Sequence, residues 1–138
     1  MTGLNYESIE IGQITDYSRT ITDYDIQKFA EVSGDYNPIH LDEEYAKKTR
    51  FKGRIAHGIL SASFISALIA KTWPGNSIYA SQSLVFKHPV RIGDHITAKV
   101  EVIAKNDEKH RLTLKTICEN QDGTIVIDGE AVIVIMTI

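Results

Sequence analysis

Ile59, Leu60, Ala62, Phe64, Ile65, Ala67, Leu68 and Ile69 fall within one stretch of the chain. At about 100° per residue they cover nearly the whole circumference of a helix running over 58–72. A helix apolar all round has no solvent face and must be enclosed by other elements. Crossing a bilayer takes about 20 apolar residues, whereas this run is shorter and interrupted by Ser61, Ser63 and Ser66. Protein must therefore cover it. The chain beyond Pro74-Gly75 is suited to that task, because four segments, 77–88, 94–105, 110–120 and 124–138, have strand character. Alternation is clearest in the second, where Ile96, Ala98, Val100, Val102 and Ala104 share one face and Thr97, Lys99 and Glu101 the other. The connections Asn106-Asp107-Glu108 and Gln121-Asp122-Gly123 are short and turn-rich, so consecutive strands should pair as antiparallel hairpins. Such a sheet buries one face, and the only all-apolar partner in the sequence is the helix. The expectation is an α+β domain whose antiparallel sheet curls around a buried helix, with a bulge at Asp128-Gly129 in the last strand.

The first half of the chain reads as helices and loops. Thr22 with Asp25 three residues on forms a capping-box pattern, and Ile26, Phe29, Ala30 and Ser33 then share a face up to a Gly34 stop. Asp42 can cap a short helix over 43–48. A length of 138 residues suits one domain spanning 1–138. With a net charge of -3 there is no global basic field to attract nucleic acid or an anionic membrane. Cys118 is the one cysteine, so there is no intrachain disulfide and no CxxC; it reads as a small buried or half-buried strand residue. The N-terminus has neither a basic start nor an apolar core of a signal peptide, and a cytoplasmic location is expected.

The chemistry-bearing stretch is Ser33-Gly34-Asp35-Tyr36-Asn37-Pro38-Ile39-His40. Gly34 permits a positive-φ helix stop, and Pro38 pushes Asn37 away from helical dihedrals. In a continuous helix Asp35 and His40 would point roughly 140° apart; in a tight loop they can converge. A carboxylate and an imidazole facing one space can hold a water, remove its proton and return a proton elsewhere. Asp35 and Asn37 can equally make Asx-type turn bonds while His40 only packs. An EF-hand is rejected, since His40 stands where the loop glycine belongs and Ala46 where the bidentate Glu belongs. Ala56-His57-Gly58 enters the apolar helix, and unpaired N–H groups at a helix N-terminus can stabilise an oxyanion. Gly58 would admit a ligand close to the backbone, or would merely allow tight packing with His57 as a cap. His88, His95 and His110 lack metal-ligand spacing and read as surface residues. GxGxxG, GxxxxGK[ST] and GxSxG are all absent.

Taken in order and spacing, Ser33-Gly34-Asp35-x-Asn37-Pro38-Ile39-His40 and Ala56-His57-Gly58, followed by the Ser-rich apolar helix, resemble the MaoC-like (R)-specific enoyl-CoA hydratases. The resemblance continues through Ser81-Gln82-Ser83-Leu84-x-Phe86, Pro89-Val90 and Gly93-Asp94, and covers the chain from about residue 5. It implies a hot dog fold, usually dimerised, with Asp35 and His40 as the catalytic pair and Gly58 as the oxyanion-hole glycine. It also implies a helical serine, Ser66, near the acyl thioester, with Asn37 and His57 on the substrate side. The implied reaction is reversible addition of water to a trans-2-enoyl thioester. No metal or redox cofactor is required, because conjugation to the thioester already activates C3.

Three other readings compete. A 3-hydroxyacyl dehydratase acting on an acyl carrier protein would share the chemistry and differ only in the carrier. Lys47, Lys48, Arg50, Lys52 and Arg54 suit either CoA phosphates or an acidic carrier. An acyl-CoA thioesterase of the same fold would use the helix-end oxyanion site without needing the Asp-x-Asn-Pro-x-His loop. A non-catalytic acyl-CoA-binding subunit would have no need to keep Asp35 and His40.

Overall fold

A computed structural model of the chain describes residues 5–137. After a 3-10 turn at Tyr6–Ser8 come strand β1 (Ile14–Thr20) and helices α1 (Asp23–Ser33), α2 (Pro38–Leu41), α3 (Glu43–Lys47) and α4 (Gly58–Thr72). Strands β2 (Ser77–Gln82), β3 (Val85–Phe86), β4 (His95–Asn106), β5 (Arg111–Glu119) and β6 (Ile125–Ile135) complete the chain. All strand pairs are antiparallel, in the order β1-β4-β5-β6-β2, and β3 also pairs with β6. Helix α4 lies against β4, β1, β5 and β6. Leu60, Phe64, Ile65, Leu68 and Ile69 on the helix meet Ile96, Ala98, Val100, Leu112, Leu114, Ala131 and Ile133 of the sheet in one core. This is the α+β hot dog arrangement, a sheet curled around a central helix.

Local sequence accounts for the helix ends. Thr22 and Asp25 make the reciprocal capping box of α1, and Gly34 at φ 81° ends that helix in the left-handed region. Burial pushes the Asp25 carboxyl up, but the Arg19 guanidinium at 2.5 Å and the Thr22 donors outweigh burial and hold it below its ordinary value. Asp42 caps α3, which closes at Lys47. Cys118 is buried as expected, and burial pushes its thiol up to about 12.

The structure departs from the sequence expectations at several points. The first half contains β1, an edge strand whose polar Asp16, Ser18, Arg19 and Thr20 gave no strand signal; pairing with β4 makes it a strand. Helix α4 is not covered all round, because Ile59, Ser63, Ser66 and Ala70 stay exposed along one stripe. Ala104 is exposed too, since an extra residue at Ile103 shifts the β4–β5 register and reverses the facing beyond it. His110 is no free surface residue, as it stacks on Tyr6 with centroids 4.4 Å apart.

The bulge in β6 falls at Val126 and not at Asp128-Gly129. Gly129 has a different task. It pairs with Thr116, and the expected 77–88 strand breaks beside it, between β2 and β3, where the Ser83 carbonyl lies against the Gly129 Cα. Through the same gap Gln82 donates from Nε2 to the Ser83 carbonyl and to the buried Thr116 hydroxyl, both at 2.9 Å. A Cβ on Gly129 would overlap the Ser83 carbonyl, a backbone group that cannot turn away. Gly129→Ala is therefore expected to cost at least about 2 kcal/mol, as overpacking against backbone does. Urea denaturation of the two proteins measures it, and a difference under about 0.5 kcal/mol would mean the crossing relaxes freely.

Candidate active site

The stretch from Ser33 to His40 folds on its own side chains. Ser33 Oγ donates to the Phe29 carbonyl and accepts from the Asp35 N–H at 3.1 Å. Asp35 Oδ1 accepts from the Asn37 N–H at 3.2 Å, and Asn37 Oδ1 accepts from the Ile39 N–H at 3.3 Å. Each is a short polar side chain bonding backbone two residues away, the chemistry that makes such residues turn formers. Asn37 thereby N-caps α2, with Pro38 at its first position. His40 thus projects from a single helical turn, where the sequence suggested only loop.

The carrier of His40 is braced from behind. Its Nδ1 lies 2.9 Å from the Ile55 carbonyl. A carbonyl can only accept, so Nδ1 holds the proton and Nε2 of the neutral ring keeps its lone pair. Arg54 donates from Nε to the His40 carbonyl at 2.7 Å and pairs through Nη2 with Asp23 at 2.5 Å. Arg91 donates to the carbonyls of Phe51, Gly53 and Arg54. Arg54 and Arg91 thus hold backbone. The sequence marked Arg54 only as part of a cationic cluster, since its partners are distant main-chain oxygens.

Asp35 and His40 converge, together with His57. One side-chain ligand atom from each lies within 4.8 Å of the other two. Two groups hydrogen-bonded to a common water, each at about 2.8 Å, stand about 4.6 Å apart, so this spacing fits a bridging water. His57 is buried, donates from Nε2 to the Asp35 carbonyl at 3.0 Å, and lies 4.0 Å from the His40 ring at an interplanar angle of 30°. Burial, partly opposed by that hydrogen bond to Asp35 and reinforced by His40 nearby, holds its imidazole below the ordinary histidine value. The three could offer a small cation one atom each, but the Nε2 of His57 is committed to the Asp35 carbonyl and its Nδ1 is buried.

His40 and Gly58 line one cleft of about 370 Å³ with Phe51, Ile55, Phe86 and Val90, and Arg50, Lys87 and His88 stand among its polar lining. Gly58 opens α4 there. Its N–H and that of Ile59 have no intrahelical acceptor, and the helix dipole adds partial positive charge. Such an end favours an oxygen that gains negative charge. Ser66 is not in this cleft; it lines a second groove, of about 340 Å³, between α4 and the 79–84 stretch, with Ile59 bordering both. Phe51 and Ile55 escaped the sequence analysis because neither belongs to a reactive pattern; Arg50 was marked only within the cationic cluster, and Phe86 only within the stretch of resemblance.

A sheet wrapped on a central helix, with an imidazole lining the cleft at the helix N-terminus and a carboxylate close to that imidazole, places the chain in the hot dog class. Residues 7–121 match the family model described as the MaoC like domain, and the chain belongs to that family. The (R)-specific enoyl-CoA hydratase of Rhodospirillum rubrum is 48% identical, covering 94% of this chain and 90% of the relative. The mitochondrial 3-hydroxyacyl-[acyl-carrier-protein] dehydratase of Arabidopsis thaliana is 40% identical over 89% of this chain and 75% of its own length. The unliganded R-hydratase PhaJ1 of Pseudomonas aeruginosa superposes with a TM-score of 0.90 at 46% identity, covering 96% and 86% of the two chains.

A Cβ on Gly58 would come within 2.6 Å of Phe86 Cδ1 and 2.7 Å of Cε1. That ring is half exposed and can turn, so Gly58→Ala should fold yet displace a wall of the cleft beside the helix end. Turnover is expected to fall about 10²-fold, the scale of a damaged oxyanion site, with Phe86→Leu in the same chain restoring part of it. A Gly58→Ala protein of near-normal turnover would place the oxyanion site elsewhere.

Proposed function

We propose that this protein is an (R)-specific enoyl-CoA hydratase, a hydro-lyase that adds water reversibly to trans-2-enoyl-CoA to give (R)-3-hydroxyacyl-CoA. The observation that carries the reading is the meeting of Asp35 with His40, which lines one cleft with the Gly58 end of α4. The thioester oxygen sits on the backbone N–H of Gly58. Asp35 and His40 hold a water over C3, and one of them takes its proton as the oxygen bonds to carbon. The π electrons move to the thioester oxygen as an enolate, and the pair returns a proton to C2. The pair ends in the protonation state in which it began. Because water and proton come from one side of the planar enoyl group, one enantiomer forms.

The Arabidopsis relative supports a second reading in which the carrier is a protein. Rates on matched CoA and carrier-protein thioesters in competition separate the two. No described helix is long and apolar enough to cross a membrane, and an acyl-CoA substrate suits a cytoplasmic enzyme.

The protein acts as a homodimer in this reading. Strand β2 ends the strand order, with Ile78 and Tyr79 exposed, and beside it lies the open Ile59, Ser63, Ser66 and Ala70 stripe of α4. A sheet edge next to an exposed helix stripe of mostly small residues suits a second copy related by two-fold symmetry. Sedimentation velocity at micromolar concentration should give twice the chain mass, and a monomer there would contradict the arrangement.

Asp35→Asn and His40→Ala should each leave a folded protein, as circular dichroism can verify, because neither side chain lies in the core. Each should lose several orders of magnitude in hydration of crotonyl-CoA, followed at the enoyl absorbance with chiral analysis of the product. The double variant should be little worse than the worse single one, since both groups serve one proton transfer. A single variant keeping more than about a tenth of wild-type kcat, a deficit below roughly 1.4 kcal/mol, would remove that residue from the mechanism.

A further inference from the structure

We infer that His57 is a positioning residue that joins the two members of the proton-transfer pair while remaining neutral; this rests on the reading of Asp35 and His40 as that pair. His57 is 2% exposed, whereas Asp35 is exposed and His40 lines the cleft, so of the three its side chain is the one shut off from a ligand. It touches both partners in different ways. Its Nε2–H is donated to the Asp35 carbonyl, which fixes the backbone from which that carboxylate hangs. Its ring lies against the His40 ring at 4.0 Å, and Phe29 packs on it at 4.8 Å. One rigid side chain thereby sets the spacing between a carboxylate and an imidazole that arrive on different turns of chain.

The residue type is dictated by these contacts. Phenylalanine could stack but could not donate to Asp35, and an ordinary capping serine or asparagine could not stack. The carbonyl acceptor requires the proton on Nε2, which leaves Nδ1 with its lone pair. Nδ1 is buried without a hydrogen-bond partner among the described residues, and His57 makes no side-chain cap on α4. A buried unpaired acceptor carries a desolvation penalty, and a proton there would be a buried charge with no acceptor, which is worse. The titratable groups acting on the ring are Asp35 and His40. A neutral His57 lets His40 gain and lose charge during turnover without a cation stacked against it.

The test combines kinetics with a spectrum of the wild-type protein. His57→Phe keeps the ring and removes the donor, whereas His57→Gln returns an N–H near the Nε2 position. With crotonyl-CoA, His57→Phe is expected to lower kcat about 10²-fold, the effect of a small misplacement of reacting groups, with KM changed less than about threefold. His57→Gln should recover about tenfold of that loss. Two-bond 1H–15N correlation of the 15N-labelled wild type should show His57 neutral with its proton on Nε2 at pH 6. A cationic ring, or a proton on Nδ1, overturns the inference even if the variants fail to fold. So does a His57→Phe protein with at least half of wild-type kcat, a loss confined to KM, or a His57→Gln no better than His57→Phe. Absence of turnover by the wild type would instead sink the hydratase reading itself, whereas an active wild type with an indifferent His57→Phe sinks only the positioning role.

Discussion

Enclosure of α4 by the sheet is the interaction on which the molecule depends. Leu60, Ile65 and Leu68 have no other means of leaving water, and burying side chains of this size contributes about 1.5–3 kcal/mol each. The sheet in turn has no core without the helix. Because the helix is held along its length, its first turn is held as well, and the N–H groups at Gly58 point to a defined place in the cleft. The cleft is thus a by-product of how the core is closed at one end.

The other half of the site is built from hydrogen bonds to main chain and not from burial. Asp35, Asn37 and Ser33 shape their own loop, while Arg54 and Arg91 tie down the strand of backbone that carries Ile55. That backbone then sets the tautomer of His40 through the Ile55 carbonyl. In the proposed reaction a side chain that exchanges protons cannot also be locked by its reactive atom. Holding His40 by Nδ1 leaves Nε2 available, and holding His57 by Nε2 leaves only an interior nitrogen free. Two histidines with opposite tautomers therefore stand side by side, one facing the cleft and one facing the protein.

The capping box of α1, the Gly34 stop and the turn-forming stretch from Ser33 to His40 were legible in the sequence because each is a local pattern of a few residues, and the helix–sheet partnership was legible from hydrophobic periodicity within each element. The sequence marked Gly58 as well, since a glycine opening an apolar helix is visible without knowing what lies above it. Strand β1 was not legible, as its side chains are mostly polar and only its neighbour β4 makes it a strand. Nor was the placing of the bulges at Ile103 and Val126, because register is an agreement between two strands. Gly129 illustrates the limit: its value lies in the Ser83 carbonyl, distant in sequence and adjacent in space. The burial of His57, the separation of Arg54 and Arg91 from the cleft cations and the place of Ser66 in a second groove came from the folded chain alone. All of these are long-range contacts, and a residue's chemistry in such a contact is chosen by partners that its own neighbours in sequence do not reveal.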